Sequence, residues 1–257
     1  MTFKSSIQSL IKKTTGYTLT KDVKQEQKLP FGVSQFYDIK KNFNGIELNT
    51  FFDVGANVGR AAKTMRRLFP NAEIHSIEPF KTTFNTLKEN TQNLNINYHN
   101  IALGSTNETA EVKISVSNIN SDTNSILAKN SKLSDDEFKI ETIEIKKLDD
   151  FCKNENIQKI DYLKIDTEGF DLDVIKGAAN YLKNNLISFV EAEVGMNPTN
   201  KFHSSFEEVK KYLENNNYYL FGLYEQVNEW ETETPILRRC NALFVSYELA
   251  KKYARKS

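Results

Sequence analysis

From about residue 48 onward, short apolar runs alternate with segments of helical period, which is typical of a mainly parallel sheet with helices on both faces. The runs are bounded by turn residues and are too short for membrane spans, so they predict buried strands. The predicted strands are Leu48–Val54, Ala72–Glu78, Ile96–Leu103, Ile160–Asp166, Ile187–Val194, Tyr218–Tyr224 and Ala242–Ser246. Two further segments alternate with a period of two and predict an extra strand pair, Ala110–Val116 and Ile140–Ile145. The chain is expected to form an α/β domain with a Rossmann-like, seven-stranded sheet.

The turn after the first predicted strand has the chemistry that a nucleoside cofactor needs. It reads Asp53-Val54-Gly55-Ala56-Asn57-Val58-Gly59 and leads into a helical segment. Glycine lets the backbone approach a ligand closely, and the free N–H groups at a helix start offer donors to a carboxylate. We therefore expect Asp53, Gly55, Ala56, Asn57 and Gly59 to bind a cofactor.

The spacing of this turn favours S-adenosylmethionine over a dinucleotide. A nicotinamide enzyme shows G-x-G-x-x-G, whereas here Gly55 and Gly59 bracket three residues and the acid Asp53 precedes them. That acid would repel a pyrophosphate and attract an amino group. Glu78 ends the next predicted strand, where a carboxylate accepts hydrogen bonds from ribose hydroxyls. S-adenosylmethionine has an amino group and no phosphate, so it is the expected cofactor.

Composition limits the classes of partner. The 34 basic and 34 acidic residues give a formal net charge of +0, so no overall field attracts polyanions and nucleic acid is not an expected partner. Cys152 and Cys240 lack the spacing of a zinc site or a disulfide framework. The sequence shows no secretory signal and no run long enough to span a membrane, so a cytoplasmic location is expected.

Residues 1–45 are expected to form an N-terminal helical appendage, and residues 46–257 the main domain. One short helical pattern in the appendage places Ile7, Leu10 and Ile11 on one face. Such a helix, with lysines beside it, either makes peripheral contact with an anionic membrane or packs on its own domain or on a partner chain.

Six stretches, taken together and in order, resemble the FkbM family of S-adenosylmethionine-dependent methyltransferases. They are FFDVGANVG, IHSIEPF, NIALGS, KKLDDF, YLKIDTEGFDLDVIKGA and FVEAEVGMNP, and they cover the chain from about residue 50 to 200. The pairing of DVGANVG with KIDTEG is the most specific of these signals. The segments FGLYEQVNEW and LRRCNALFVS resemble, more weakly, a branch of the family that is often found with surface-glycan genes.

The resemblance implies a class I methyltransferase fold and methyl transfer to a hydroxyl oxygen of a sugar, a glycan or a related metabolite. By position it assigns the methionine end of the cofactor to the glycine turn, the ribose to Glu78 and the adenine to Ala102. It also places Asp166 and Glu168 beside the methyl group and the acceptor.

A hydroxyl is a weak nucleophile, so methyl transfer gains from a base within hydrogen-bond reach. The candidates are Asp166, Glu168, Glu193 and His203, of which Asp166 and Glu193 end strands at the carboxyl edge of the sheet. Asp166 is also assigned to the cofactor site. A structural reading stays open, in which Glu168 only caps a helix and Glu191 is a solvent-side neighbour of Glu193. Clustered carboxylates also suit Mg²⁺, which is possible here although no metal site is expected.

Near the end of the chain, aromatic and hydrogen-bonding groups lie close together between the last two predicted strands. Sugar recognition uses flat apolar faces with surrounding polar groups, which makes this segment a candidate acceptor site. The proposed residues are Tyr224, Gln226, Trp230, Arg238 and Asn241. The alternative is that Trp230 packs under a loop and that the arginines form ion pairs on the surface.

Two other functions remain open at this point. The first is a non-catalytic scaffold of a glycan-assembly complex that keeps the methyltransferase fold, although a scaffold has no need of Asp53, Glu78 and Asp166 together. The second is a nicotinamide-dependent oxidoreductase, which the missing G-x-G-x-x-G pattern disfavours. The identity of the acceptor and the oligomeric state do not follow from the sequence.

Overall fold

The computed structural model describes residues 29–115, 138–230 and 232–254, and within them most of the predicted apolar runs form strands. The strands are β1 (Thr50–Val54), β2 (Glu73–Ile77), β3 (Asn97–His99), β4 (Ala102–Gly104), β5 (Glu108–Ser115), β6 (Phe138–Lys147), β7 (Ile160–Ile165), β8 (Ile187–Gly195), β9 (Ser204–Ser205), β10 (Tyr218–Asn228) and β11 (Leu237–Ser246). The helices are α1 (Gln35–Asn42), α2 (Arg60–Leu68), α3 (Lys81–Thr91), α4 (Leu148–Asn154), α5 (Asp171–Gly177), α6 (Ala179–Lys183), α7 (Phe206–Glu214) and α8 (Tyr247–Lys252).

The main sheet has the strand order β10-β11-β8-β7-β1-β2-β3, and the two-residue strand β9 pairs with the end of β8. Strands β3, β2, β1, β7 and β8 are parallel, while β11 runs antiparallel between β8 and β10. The strand order reverses between β1 and β7, and ligands of open α/β sheets bind outside the carboxyl ends of the strands at such a point. The expected Rossmann-like, mainly parallel sheet is confirmed.

A second, three-stranded sheet has the order β4-β6-β5. It contains the expected extra strand pair, β5 and β6, but it also includes β4, which was expected to continue β3 as one strand. The prediction of a single strand over Ile96–Leu103 is therefore wrong. The side chain of Asn100 donates hydrogen bonds to the carbonyl oxygens of Glu78 at 2.9 Å and Pro79 at 2.8 Å, which turns the chain between the two sheets.

The main sheet is buried on both faces, as expected for a parallel sheet between helices. One face packs against helices α4 to α7 through apolar residues such as Phe151, Val174 and Leu213. The other face packs against α1 and α2, where Phe36 and Met65 are buried.

Part of the expected N-terminal appendage packs into the domain core. Ser34 caps helix α1, and its hydroxyl accepts a hydrogen bond from the N–H of Tyr37 at 3.4 Å. Ile39 is fully buried, and the ring of Phe43 lies 5.2 Å from that of Phe189. The helical pattern around Ile7 lies outside the described residues, and the boundary near residue 45 stays a prediction.

Two details of the helices differ from what the sequence pattern predicts. The helical spacing of Leu172, Ile175, Ala179 and Leu182 predicts a single helix after Gly169 with these residues inward. The helix is instead broken at Ala178 into α5 and α6, which buries Ala178 and exposes Ala179. Ser204 and Ser205, followed by Glu207 and Glu208, predict a capping box before α7, but none forms, since the hydroxyl of Ser205 bonds to the carboxylate of Glu207 at 2.7 Å. Neither error moves a strand of the main sheet.

Within the described part of the chain, no helix combines the length and the apolar character that crossing a bilayer requires. The expected cytoplasmic location stays a prediction, as does peripheral membrane contact.

Candidate active site

The glycine turn lies where the strand order reverses, and its backbone accepts only glycine at two positions. Gly55 has a φ of +77°, and a Cβ atom there would lie 1.9 Å from the carbonyl oxygen of Asp166. Gly59 has a φ of +87°, and its Cβ atom would lie 2.7 Å from the methyl group of Thr91. The N–H groups of Gly55 and Ala56 both donate to the carbonyl oxygen of Ile77 at 3.0 Å, which ties the turn to β2. A side chain at either glycine would therefore displace the turn.

Asp53 lies next to the last residue of β1 and has a buried carboxylate whose oxygens have no hydrogen-bond partner among the described residues. Its side chain is 0 % exposed, and neither oxygen has a hydrogen-bond partner of full geometry among the described residues. Burial raises the pKa of Asp53 to about 6, while the nearby ammonium of Lys164 opposes that rise. A carboxylate without a partner inside a ligand cavity is costly unless a ligand supplies the donor. The ammonium of S-adenosylmethionine is such a donor.

Glu78 follows β2 and supports the turn as well as facing the cavity. Its two carboxylate oxygens accept hydrogen bonds from the N–H groups of Asn57 at 3.0 Å and Phe80 at 3.1 Å. Burial raises the pKa of Glu78 to about 7, and these two bonds oppose the rise. Each carboxylate oxygen can accept a further hydrogen bond, so contact with ribose hydroxyls stays open to Glu78.

These residues line one cavity of about 1070 Å³. The expected cofactor residues found on its wall are Asp53, Gly55, Ala56, Asn57, Glu78, Ala102 and Asp166. Gly59 does not line it, because it faces Thr91 and Leu87 of α3, so its part is to turn the backbone. The other expected cofactor residues lie on the wall of this cavity, and their contact with a cofactor stays a prediction.

Asp166, directly after β7, forms a partly buried ion pair that the sequence did not reveal. The ammonium of Lys164 lies 2.8 Å from its carboxylate, and the side chain of Lys164 is 14 % exposed. Burial alone would raise the pKa of Asp166, but the charges of Lys164, Arg239 and His203 outweigh burial and hold the pKa below its ordinary value. Asp166 is therefore ionised and a weak base, better suited to orienting a partner than to taking a proton.

Glu168 has the opposite character. Its backbone adopts a φ of +52°, in the left-handed region, and its side chain lines the cavity. Burial, together with the neighbouring carboxylates of Glu193 and Asp166, raises the pKa of Glu168 to about 7. A strained residue with a pKa near neutrality is typical of a functional site. A carboxylate with a pKa near 7 is suited to act as a general base, which makes Glu168 a better candidate than Asp166.

His203 and Glu193 form a pair beside Glu168. The Nε2 atom of His203 lies 3.0 Å from the Oε2 atom of Glu193 and 3.9 Å from the Oε2 atom of Glu168. Arg239 donates to the other oxygen of Glu193. The side chain of Asn200 fixes the ring of His203 through Nδ1 at 3.0 Å. His203, from a loop, and Glu193 and Arg239, from two strands, are far apart in the sequence but meet at one end of the cavity.

The three donor atoms of Glu168, Glu193 and His203 lie within 4.8 Å of one another, close enough to share a metal ion. Both oxygens of Glu193 already face cationic or hydrogen-bonding groups, namely His203 and Arg239. The cluster is therefore stable as an ion-pair network without a metal, and the Mg²⁺ possibility stays open.

The sequence profile of the Methyltransferase FkbM domain matches residues 53–220. The chain belongs to the FkbM methyltransferase family. The family resemblance read from the sequence motifs is thus confirmed, and with it the class of S-adenosylmethionine-dependent methyltransferases and their cofactor.

A curated relative, Methyltransferase 1 of Beauveria bassiana (strain ARSEF 2860), is 27% identical over 144 residues, which are 49% of this chain and 56% of the relative. The match thus spans about half the length of that relative. TrmK of M. capricolum in complex with S-adenosyl-homocysteine is similar in structure, with a TM-score of 0.45, 10% identity and coverage of 84% of this chain and 70% of that one. The N-terminal domain of human METTL16 in complex with SAH has a TM-score of 0.46 and 12% identity, covering 96% of this chain and 85% of that one.

Three of the expected acceptor residues do not line the cavity. Tyr224 is 1 % exposed, and its hydroxyl donates to the carboxylate of Asp38 at 3.1 Å, which makes it a core residue. Asn241 is also buried and donates to Glu191 at 3.0 Å. Gln226 is exposed and lies away from the cavity wall. The prediction that these three residues contact an acceptor is therefore wrong. Tyr224 and Asn241 have structural roles, and Gln226 lies outside the site.

The other two expected acceptor residues do line the cavity of the FkbM domain. Trp230 is 53 % exposed, and the guanidinium carbon of Arg238 lies 4.3 Å from the centre of its ring. Arg238 is held by Glu229 through bonds of 2.8 and 3.0 Å to the two carboxylate oxygens. The reading in which Trp230 packs under a loop is thus not what the structure shows.

Two features of this FkbM site escaped the sequence analysis. Lys164 lies inside the apolar run of β7, and a charged residue at an inner position of a central strand was the available signal. Glu191 was taken as a possible solvent-side residue, but it is 1 % exposed and accepts hydrogen bonds from Tyr162 and Asn241. Glu191 and Glu193 are two residues apart on β8 and share one face of the sheet, and because that face is covered, both carboxylates are buried.

Proposed function

We propose that this protein transfers the methyl group of S-adenosylmethionine to a hydroxyl oxygen of a sugar, a glycan or a related hydroxylated metabolite. The observation that carries the proposal is the position of Glu168, whose pKa is about 7, on the wall of the cavity that also holds the glycine turn. A base of that pKa is largely ionised just above neutral pH and is strong enough to accept a hydroxyl proton as the methyl group transfers.

The cofactor end of the cavity fits S-adenosylmethionine. The unsatisfied carboxylate of Asp53 suits the ammonium group, and Glu78 has hydrogen-bonding capacity left for the ribose. A dinucleotide would bring a pyrophosphate towards Asp53, which argues against the oxidoreductase alternative.

The transfer follows from the groups on the acceptor side. The acceptor oxygen forms a bond to the methyl carbon while the carbon–sulfur bond breaks. The electron pair of the broken bond stays on sulfur, which gives S-adenosylhomocysteine. The hydroxyl proton moves to the carboxylate of Glu168. Asp166, kept ionised by Lys164, accepts a hydrogen bond that orients the acceptor or the cofactor. His203 and Arg239 hold Glu193 in place beside the base.

The test uses methyl-labelled S-adenosylmethionine and a panel of oligosaccharides and hydroxylated metabolites as acceptors. We expect label transfer by the wild type and a loss of about 10²-fold or more in Glu168→Gln, the usual scale for a positioned base. The matched control is Glu144→Gln, because Glu144 is exposed on β6 and lies outside the cavity. Equal turnover in Glu168→Gln and Glu144→Gln would exclude Glu168 as the base. S-adenosylhomocysteine binding without transfer to any acceptor class would favour the scaffold alternative.

A further inference from the structure

We propose that the acceptor presents an uncharged sugar ring, free of phosphate or other anionic groups, which stacks on the indole of Trp230. This inference rests on the proposed methyl transfer and narrows its substrate class. It excludes sugar phosphates and nucleotide sugars as the methylated unit.

The first argument is the rigidity of Trp230 on the cavity wall. Arg238 stacks on the ring at 4.3 Å, and Arg238 is itself 7 % exposed and clamped by the buried carboxylate of Glu229. The N–H of Glu229 donates to the carbonyl oxygen of Ile236 at 2.8 Å, which closes the end of the β10–β11 hairpin. The indole is thus held in one orientation before a ligand arrives, and a pre-organised aromatic surface binds a flat apolar ring face at low entropic cost.

The second argument is that carboxylates already partner the cations on this side of the cavity. Lys164 pairs with Asp166 at 2.8 Å, Arg238 pairs with Glu229 at 2.8 Å, and Arg239 donates to Glu193. A phosphate would have to compete with these carboxylates for the cations. Glu193 and Glu229 are buried, so weakening their pairing with the arginines would be costly.

The remaining acids on this wall repel an anion and suit a neutral polyol. Glu168 and Glu225 both line the cavity beside these ion pairs. An anionic ligand would meet like charges, whereas sugar hydroxyls donate hydrogen bonds to carboxylate oxygens. The arrangement therefore selects against anions while it offers acceptors to hydroxyl groups.

The test measures binding to protein saturated with S-adenosylhomocysteine, by saturation-transfer NMR and calorimetry. The probes are methyl pyranosides of several common sugars and the 1-phosphates of the same sugars. We expect at least one methyl pyranoside to bind, and its 1-phosphate to bind tenfold or more weakly. Trp230→Ala should abolish pyranoside binding, while Trp230→Phe retains part of it. The control variant is Tyr219→Ala, since Tyr219 is an exposed aromatic residue on β10 that lies outside the cavity wall.

Three results would overturn the inference. Sugar phosphates could bind as tightly as the pyranosides, or Trp230→Ala could bind pyranosides as well as Tyr219→Ala does. The third such result is that no pyranoside of the panel binds to the wild type. S-adenosylhomocysteine affinity is measured in the same samples and should be equal in all variants. If the wild type fails to bind S-adenosylhomocysteine, the proposed methyl transfer fails, and that outcome is separate from the loss of sugar binding alone.

Discussion

Asp53→Asn should stabilise the protein without cofactor and weaken cofactor binding at the same time. The carboxylate is 0 % exposed, and burial raises its pKa from 3.8 to about 6. Near pH 7 the folded protein therefore has to keep a buried charge that the unfolded chain carries in water. The difference in pKa corresponds to about 3 kcal/mol of lost stability at neutral pH.

The sign of the pH dependence follows from the same shift. Between about pH 4 and pH 6 the folded state holds a proton on Asp53 that the unfolded state has lost, so the free energy of unfolding falls as pH rises. Asparagine has no such proton, and the variant should lose this part of the pH dependence. Because the amide brings its own buried polar atoms, we expect a net gain of about 1–3 kcal/mol, or a rise in Tm of about 2–10 °C.

Cofactor binding should respond in the opposite direction. The ammonium of S-adenosylhomocysteine loses a charge-assisted partner worth about 1.5–3 kcal/mol, so its affinity should fall about 10–100-fold in calorimetry at pH 7. The matched control is Asp161→Asn. Asp161 is also buried and lies outside the cavity, but its oxygens accept hydrogen bonds from the N–H of Asn49 at 2.8 Å and from the ammonium of Lys159 at 2.6 Å. Its replacement should lower the Tm and leave the affinity for S-adenosylhomocysteine unchanged.

Two outcomes would refute this reasoning about Asp53. The first is an Asp53→Asn protein whose Tm without cofactor does not rise relative to that of Asp161→Asn. The second is an unchanged affinity for S-adenosylhomocysteine, which would show that the carboxylate does not face the ammonium group.

Three further predictions concern the base, the glycine turn and the cluster that could hold a metal ion. Turnover should rise with pH through a midpoint near 7 as Glu168 loses its proton, and the residual turnover of Glu168→Gln should lack that step; an unchanged profile in the variant would assign the titration to another group. Gly55→Ala should abolish S-adenosylhomocysteine binding in calorimetry and lower the Tm, because its Cβ atom would lie 1.9 Å from the carbonyl oxygen of Asp166; normal binding would show that the turn can shift. Chelation with EDTA should leave turnover unchanged, because His203 and Arg239 already neutralise Glu193, and a loss restored by Mg²⁺ would instead assign a metal to the cluster.

The strands of the core and the residues that line the glycine-turn side of the cavity were accessible from the sequence because their signals are local. Apolar runs of strand length, a glycine pair at fixed spacing and an acid at the next strand end each lie within a short segment, as Gly55, Gly59 and Glu78 show. Parallel strands then bring their carboxyl ends to one edge, so Asp53 and Asp166 were expected together before any contact was known. The structure places both on the same cavity wall.

The acceptor side was only partly accessible, because it depends on pairing between distant strands. In the antiparallel register of β8 and β11, Asn241 lies opposite Glu193, while Arg239 lies opposite Gly195 and reaches the Glu193 carboxylate diagonally. Sequence spacing cannot give that register. The β10–β11 hairpin shows the same limit, because a register shift between Tyr224 and Val227 interrupts the alternation of side chains. Tyr224 is consequently in the core, and Trp230 faces the cavity.

The charges of the site were decided by tertiary structure alone. From the sequence, Asp166, Glu168 and Glu193 are equivalent carboxylates, and all three were candidate bases. The charge of Lys164 outweighs the effect of burial and makes Asp166 a weak base, whereas burial among other carboxylates brings the pKa of Glu168 to about 7. The sequence determines which ionisable groups reach this edge of the sheet, but their proton affinities depend on which neighbours the fold places within a few ångströms, and on how much water it removes.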